Sequence, residues 1–414
     1  DFIRNVFSRL MGPYNSIGTA MFLDGTLRND WSSTLSKENR SFAYPSVSVS
    51  WVITDMMEKL DKSILFLLIY YLLSSLLYVF WAPINGKIVC KIGLKKSIII
   101  GSILFALLNI SYILFDYNLF WAIVSSTILA IISRGFYWMP YHIYFASFTN
   151  KDRRGFQISI VKDVVTIINI FLPFIAGLFI EESGFNIIFI ISIFLHLISI
   201  IPLLKMDDIK VEYSFNYLES FKKIFSKEFW HDSILFFLEG AESTFSVILW
   251  PLLMFLILKG NYQELGIISS CIVLFTIILN IILGKMADKQ DKKKMVKTGA
   301  LLYSAGWIMK MFSYTGFQVF LSSLYHNMAD SLMRVPYDTY WYEQDFKKGR
   351  YIDEYVILRE ATIHAGRSLT IVMSMLLINN LGFDMRETFV IGALAFLLLG
   401  CFIDKKSILV KNDG

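Results

Sequence analysis

The segment PYHIYF at residues 140–145 is nearly repeated as PYDTYW at residues 336–341, and the two copies stand 196 residues apart in a chain of 414 residues. Other landmarks keep almost the same separation, as Gly101 and Gly299 do at 198 residues. Self-similarity at a fixed period is the mark of an internal repeat. The sequence therefore predicts two halves, each about 200 residues long, that share one structural plan.

Composition indicates that both halves lie in a membrane. Hydrophobic residues make up 55% of the chain and charged residues 18%, and the mean hydropathy is +0.55. A helical span needs about 20 mainly apolar residues, and lipid tolerates only helices or closed barrels. Eleven stretches meet this requirement without strand-like alternation, at about 64–82, 98–115, 119–148, 156–180, 185–204, 233–258, 265–283, 296–315, 317–345, 352–380 and 386–403. The predicted fold class is an all-α membrane protein.

The loops between the spans predict the orientation of the chain. Lysine and arginine cluster in alternate loops, such as those at 87–96, 151–154 and 285–294, whereas the intervening loops carry few of them. Basic loops stay on the cytoplasmic side of a membrane. We therefore expect a multi-pass protein of the cytoplasmic (inner or plasma) membrane with its C-terminus in the cytoplasm. The net charge of +5 follows from this orientation, so no nucleic-acid partner is expected.

One long polar stretch between spans, residues 205–230, joins the two halves. It separates an N-terminal helical bundle at 64–204 from a C-terminal bundle at 231–414. Apolar linker residues recur at three- and four-residue steps opposite the lysines, at Phe215, Leu218, Phe221, Phe225 and Phe229. This pattern fits a helix that lies on the inner membrane surface, and the alternative is a solvated tether.

Two loops carry related patterns of glycine, acid and lysine, GKIVCKIGLKK at residues 86–96 and GKMADKQDKKK at residues 284–294. Both resemble G-x-x-x-D-x-x-G-[RK]-[RK], the signature of the major facilitator superfamily. The signature positions present are Gly86, Gly93, Lys95 and Lys96 in the first copy and Gly284, Asp288, Lys292 and Lys293 in the second. Cys90 replaces the acid of the first copy, and Asp291 replaces the second glycine of the second copy. Such a loop needs a glycine for a tight turn, an acid that faces a helix N-terminus and cations on the inner face.

The resemblance covers the chain from about residue 64 onward. It implies two pseudo-symmetric six-helix bundles around a central cavity, which the first, fourth, seventh and tenth helices mainly line. It also implies a small-molecule solute as partner, a lipid bilayer as surroundings and alternating access by rocking of the halves.

Residues 1–63 depart from the repeat. The span at 233–258 corresponds to the seventh helix of the superfamily plan. A shift of 198 residues from it predicts a first helix near residues 35–60, which read LSKENRSFAYPSVSVSWVITDMMEKL. The longest uncharged run there, Ser41–Thr54, has 14 residues and is interrupted by Pro45. A span requires about 17 residues or more, so none can be read here. We expect a first helix that is absent, broken or displaced.

Polar side chains inside the spans are the candidates for function, because a charge at the bilayer centre costs about 2.5–3.5 kcal/mol or more. In the numbering of the superfamily plan, the span at 119–148 is the fourth helix and the span at 317–345 is the tenth. Such residues gather on one face of each of these two helices. The predicted cavity residues are Arg134, Tyr137, Tyr141 and Tyr144 of the fourth helix and His326, Asn327, Arg334, Tyr337 and Trp341 of the tenth. We expect these residues to contact the solute, and helix packing is the alternative for each aromatic residue.

Arg134 and Asp330 occupy equivalent positions of the repeat, since 134 plus 196 is 330. The superfamily plan would bring them to opposite walls of one cavity as a pair of opposite charges. The alternative pairs Asp330 with Arg334, four residues along the same helix. Both interpretations direct these charges toward the cavity, because leaving all three in lipid would cost on the order of 7–10 kcal/mol.

Two carboxyl groups of the seventh helix, in the span at 233–258, are candidates for coupling transport to protons. Glu239 and Glu242 are three residues apart within the apolar run SILFFLEGAESTF. Together with Asp330 they are the candidates for a proton-coupling site, in which Arg134 or Arg334 alternates between the acid and the solute. The alternative anchors both glutamates near the cytoplasmic end of the helix through lysines of the loops.

The fifth and eleventh helices repeat a basic and acidic doublet 197 residues apart, at Lys162 and Asp163 and at Arg359 and Glu360. Charge pairs at equivalent places near helix ends are more typical of a gate or a packing contact, which holds the halves together, than of a contact with the solute. His364 and Arg367, on the same side of the eleventh helix as Glu360, are interpreted in the same way.

The chain carries no phosphate loop, nucleophile elbow or metal-ligand spacing, so we expect neither an enzyme nor a cofactor nor a metal site. The sequence instead predicts a monomeric secondary active transporter for a small organic solute, coupled to protons. The alternative function is a membrane sensor or scaffold on a transporter fold, which the departure of residues 1–63 from the repeat favours.

Overall fold

The computed structural model describes five ranges of the chain, residues 64–148, 170–204, 215–287, 292–348 and 352–406. Within these ranges the chain is helical and contains no strand. The all-α class that the sequence predicts is therefore confirmed for the described part of the chain. Residues 1–63, where the first helix was in question, and the doublet at 162–163 lie outside the described residues.

Helices α1 to α5 belong to the N-terminal half and span Ile64–Ile92, Leu94–Ile113, Leu119–Phe148, 170–183 and Phe185–Ile198. A short 3-10 turn at Leu114–Asp116 extends α2, and one further helical turn at Ile200–Leu203 follows α5. The predicted span at 119–148 coincides with α3. Helix α1 continues to Ile92, beyond the predicted end at residue 82, because charged residues end an apolar span without ending a helix.

Helices α6 to α12 form the linker and the C-terminal half and span Tyr217–Ile224, Trp230–Ile257, Tyr262–Ala287, Lys292–Met311, Gly316–Lys348, Ile352–Met375 and Phe389–Lys406. A π turn at Phe245–Leu249 lies inside α7, and a second π turn at Leu376–Asn380 continues α11. The two PY segments lie deep inside α3 and α10, with Pro140 and Pro336 a similar distance from the helix starts.

The linker contains the short helix α6, which begins with a capping box between Asn216 and Glu219. Flanking apolar residues Phe215 and Phe229 are buried, whereas Leu218 and Phe225 are 69% and 84% exposed. An apolar residue that protein does not cover suits the membrane surface. The helix is therefore present, and its contact with the membrane stays a prediction.

Glycines with a left-handed backbone separate consecutive helices at equivalent places of the repeat. Gly184 between α4 and α5 has φ 75°, and Gly382 between α11 and α12 has φ 71°. The two positions are 198 residues apart. A β-carbon at either site would meet nothing within 4 Å, so the backbone conformation rather than crowding favours glycine.

Helix packing repeats with the sequence. Helix α2 packs on α3 and α5, and its equivalent α9 packs on α10 and α12. Gly101 of α2 lies against Tyr137, where an added β-carbon would come 2.7 Å from the Tyr137 Cβ. Gly299 of α9 lies against Met333 in the same way, also at 2.7 Å. The duplication thus extends from sequence to close helix contacts.

Two contacts between the halves join equivalent pairs of helices. Helix α1 packs on α11, where Gly86 lies beside the side chain of Ile357. Helix α4 meets α8, where a β-carbon on Gly177 would lie 2.7 Å from the carbonyl oxygen of Tyr262. Because α1 and α8 are repeat equivalents, as are α4 and α11, equivalent pairs of helices meet twice, although these two contacts lie at opposite ends of the helices. The count of eleven spans and their division into two six-helix bundles remain predictions.

Among the residues that the structure describes, five helical segments are long and apolar enough to cross a membrane, namely Ile64–Ile92, Leu94–Asp116, Leu119–Tyr141, Trp230–Ile257 and Glu354–Asn380. Shorter apolar helices lie at Phe185–Ile198, Tyr262–Ile278 and Phe389–Phe402. The chain is thus an integral multi-pass membrane protein. The apolar window of α7 is 83% buried, against 33–50% for the other four, so protein rather than lipid surrounds α7.

Candidate functional site

Polar residues gather at the middles of the long helices. Tyr78 is the middle residue of α1, and Arg134 lies at the middle of α3. We call the set of such residues the polar layer, and its members are Tyr78, Arg134, Glu242, Ser243, Tyr303, Asp330, His364 and Arg367. Helices that cross a membrane together would bring their middles to the same depth, where a charged side chain is most costly.

Arg134 reaches across to α11. Its Nη1 atom lies 3.1 Å from Nε2 of His364, and its guanidinium carbon lies 5.6 Å from the centre of the Tyr78 ring. The Tyr78 and His364 rings pack with centres 4.3 Å apart. Because a guanidinium only donates, Nε2 must accept, so His364 is neutral with its proton on Nδ1. This contact joins α1, α3 and α11.

Glu242 occupies the centre of the protein-enclosed helix α7. Its side chain is 0% exposed, and its Oε1 atom accepts a 2.7 Å hydrogen bond from the hydroxyl of Tyr303 on α9. The Tyr303 ring packs on His326 of α10 with ring centres 4.0 Å apart. Burial of a carboxyl group is tolerated when hydrogen bonds satisfy it. The predicted residues Glu242 and His326 are therefore brought together through Tyr303.

Glu239 lies one turn nearer the start of α7 and belongs to a charged cluster with α11. Its Oε1 atom is 3.4 Å from Nη2 of Arg359, and Nη1 of Arg359 is 3.6 Å from Oε1 of Glu360. Both contacts lie within the C-terminal half. A role of Arg359 and Glu360 as a gate between the halves stays a prediction.

Helices α7 and α11 meet through their backbones. Gly240 lies against the carbonyl oxygen of Ile363, and Gly366 lies against the carbonyl oxygen of Phe237. Any β-carbon at these glycines would overlap the facing backbone. Close to this crossing, Nε of Arg367 donates a 3.0 Å hydrogen bond to the Ser243 hydroxyl.

The other predicted cavity residues whose side chains the structure describes, Tyr137, Tyr141 and Asn327, are buried. The rings of Tyr137 and Tyr141 are stacked with centres 6.4 Å apart, and Asn327 donates a 3.3 Å hydrogen bond to the Thr276 hydroxyl on α8. Asp330 is buried in α10. No ion pair within 4.0 Å joins Asp330 to Arg134 in the described structure, and its pairing with Arg334, whose side chain is not described, stays a prediction.

Several predicted residues lie outside the described part of the structure. For Asp288, Lys162 and Asp163 the backbone is not described, and for others only the helix that contains them is described, namely Tyr144, Gly284, Lys292, Lys293, Arg334, Tyr337 and Trp341. Their roles stay predictions. Among the described residues, no group of three His, Cys, Asp or Glu side chains comes together that could hold a metal ion.

The first signature loop differs in detail from the expected turn. Gly86 lies inside α1 and allows α11 to approach, and the tight turn is at Gly93 with φ 98°. Nζ of Lys95 donates a 2.8 Å hydrogen bond to the carbonyl of Leu204, which follows the last turn after α5. A cation there satisfies a carbonyl at a helix C-terminus. Lys96 is exposed.

Sequence reasoning missed Lys310. Its side chain is 2% exposed, and its Nζ atom lies 4.3 Å and 4.6 Å from the ring centres of Trp307 and Trp250. Two indole faces stabilise a buried ammonium through cation–π attraction. The signal was present, because Trp307 precedes Lys310 by three residues on one helix face.

The sequence model of the Major Facilitator Superfamily matches residues 40–238, which run from upstream of α1 through the N-terminal half and the linker into α7. The match thus begins ahead of residue 64, where the sequence resemblance was expected to begin. The uncharacterized protein YqgE of Bacillus subtilis (strain 168) is 20% identical over 259 residues. That alignment covers 60% of this chain and 59% of YqgE, so the chain spans about three fifths of the length of this curated relative.

With residues 40–238 matched, and with a C-terminal half that repeats the same helix contacts, the chain is similar to the Major Facilitator Superfamily, whose members are generally membrane transporters rather than enzymes.

Proposed function

We propose that this protein is a secondary active transporter that moves a small organic solute across the cytoplasmic membrane by alternating access and is coupled to protons. It acts as a monomer with its C-terminus in the cytoplasm. The match of residues 40–238 to the superfamily supports transport in general. The polar layer supports a solute pathway between the halves, because it lies at the helix middles and joins helices of both halves through Arg134 and His364.

Glu242 carries the proposal of proton coupling. A carboxylate at the centre of a membrane helix costs about 2.5 kcal/mol or more, and such acids are retained where they serve a function. Glu242 is fully buried, and protein surrounds its helix. Its Oε1 atom accepts a 2.7 Å hydrogen bond from the Tyr303 hydroxyl. This hydrogen bond can form whether or not the other carboxyl oxygen carries a proton. Glu239 and Asp330 are the further candidate acids.

The test measures accumulation of a panel of labelled metabolites by cells that express the chain, with and without a protonophore. We expect at least one solute to be concentrated and the protonophore to abolish its accumulation. Accumulation that survives the protonophore would contradict proton coupling. Absence of flux for every solute of the panel would favour the alternative function, a membrane sensor or scaffold.

Glu242→Gln sharpens this test. An amide keeps the size of the side chain and an oxygen for the Tyr303 hydroxyl but carries no exchangeable acid proton. We expect concentrative uptake to be lost, whereas exchange of labelled for unlabelled solute across the membrane persists. The matched control is Glu264→Gln, which makes the same change at an exposed acid at the start of α8. Equal uptake by Glu242→Gln and the wild type would remove Glu242 from the mechanism.

A further inference from the structure

We infer that Arg134 and His364 form an oxyanion site, so that the solute is an organic anion with a carboxylate or phosphate group. The statement about a transported solute rests on the proposed function, whereas anion binding itself does not.

Arg134 is a cation with a neutral partner. It is half-buried at the middle of α3, and its hydrogen bond goes to the imidazole of His364 at 3.1 Å. In the described ranges no carboxylate lies within the 4.0 Å that defines an ion pair with Arg134. A charge inside a protein is normally compensated by an opposite charge. A guanidinium offers five N–H donors, so most of them remain available to a ligand.

His364 supplies a second donor. Since Nε2 accepts from Arg134, the proton of the ring is on Nδ1. This Nδ1 atom is buried, and no hydrogen-bond acceptor for it lies within the part of the chain that the structure describes. A buried donor without an acceptor is energetically unfavourable. The Tyr78 ring, 4.3 Å away, holds the imidazole in this orientation. A ligand oxygen would relieve the cost.

The two charged groups that act electrostatically on the His364 ring are both cations, Arg367 and Arg134. Arg367, one turn along α11, acts electrostatically on the His364 ring, and its Nε donates to Ser243 at 3.0 Å. The neighbouring carboxylates have contacts of their own, with Tyr303 for Glu242 and with Arg359 for Glu239 and Glu360.

Geometry then selects the class of ligand. The planar fork of a guanidinium matches the oxygens of a carboxylate or a phosphate and binds them in a bidentate manner. A cationic solute would be repelled by Arg134 and Arg367, and an uncharged solute would leave the Arg134 charge uncompensated. The site formed by α1, α3 and α11 therefore favours an oxyanion.

The test uses the purified full chain in detergent and measures its unfolding temperature with small probes. Acetate and benzoate present a carboxylate, phosphate and phenyl phosphate present a phosphate, and acetamide and benzamide are neutral matches. A ligand that binds the folded state raises the unfolding temperature, by about 2 °C or more once its concentration well exceeds Kd. We expect such a shift with at least one anion and with neither amide. The two anion pairs distinguish carboxylate from phosphate.

Arg134→Gln should abolish the anion-dependent shift. The matched control is Arg386→Gln, because Arg386 is also half-buried over a tyrosine, with its guanidinium carbon 4.3 Å from the Tyr314 ring centre, but lies outside the polar layer. Arg134→Lys keeps the charge and loses the fork, so binding should weaken by about tenfold. A shift that Arg134→Gln retains would overturn the inference.

If Arg134→Gln does not fold, the comparison of anions with amides on the wild-type chain still tests the oxyanion site. Shifts of equal size with an anion and its amide, or no shift with any anion, would overturn the inference.

The oxyanion site and the proposed transport function can also fail independently of each other. Anion-dependent stabilisation without flux of any solute would reject the proposed function alone, whereas proton-coupled uptake of an uncharged solute without anion binding would reject the oxyanion site alone.

Discussion

The two halves of the molecule pack alike and differ in chemistry at equivalent positions. Phe105 of α2 and Tyr303 of α9 are 198 residues apart and both pack on the next helix of their half, against Tyr137 and His326 respectively. Only Tyr303 has a hydroxyl, and that hydroxyl reaches Glu242. The comparison teaches that the repeat determines where the helices meet, whereas the departures from the repeat provide the chemistry.

The fourth and tenth helices of the superfamily plan, α3 and α10, show the same contrast. Arg134 and Asp330 are equivalent positions with opposite charge. Arg134 contacts α11 of the other half, and Asp330 is buried in its own half. Substitutions that make the halves more alike or less alike therefore test which differences matter.

Asp330→Asn removes the acidic side of this contrast and should have the largest effect. If Asp330 takes part in proton coupling, its amide abolishes concentrative uptake, because an amide cannot bind and release a proton at physiological pH. Helix content measured by circular dichroism should stay unchanged. Glu182→Gln, at an exposed acid near the end of α4, is the control. A variant that still concentrates solute would exclude Asp330 from the mechanism.

Gly101→Leu and Gly299→Leu test whether the packing is truly repeated. Each adds a side chain where even a β-carbon would lie 2.7 Å from the facing helix. We expect both to lower the unfolding temperature by similar amounts, with a loss of stability of about 1–3 kcal/mol or more. Ile103→Leu, on the exposed side of α2, should change little. If only one glycine variant is destabilised, the two halves do not share this contact.

Tyr303→Phe and Phe105→Tyr exchange the hydroxyl between the halves and should have the smallest effect. Loss of a hydrogen bond to a charged group costs about 1.5 kcal/mol, so concentrative uptake should slow by roughly tenfold in Tyr303→Phe. Phe105→Tyr adds a hydroxyl in the half that lacks Glu242, and uptake should stay near the wild-type rate. Equal losses in both variants would point to ring packing instead of the hydrogen bond.

Much of the helix order could be predicted from sequence, because apolar runs of span length and equivalent glycines are local signals. The span 119–148 and the turns at Gly184 and Gly382 are examples. Contacts between distant helices could not be predicted in the same way. The repeat relates Arg134 to Asp330 but does not say that His364, 230 residues away in sequence, will be its hydrogen-bond partner. The superfamily signature likewise did not reveal that Gly86 lies inside a helix.

The backbone contact between α7 and α11 has a mechanical consequence. Where Gly240 faces Ile363 and Gly366 faces Phe237, no layer of side chains separates the two helices. Helices slide past each other by exchanging side-chain rotamers, and this crossing offers none to exchange. We therefore expect α7 and α11 to stay packed together, with Glu242 between their ends, in any rearrangement of the helices.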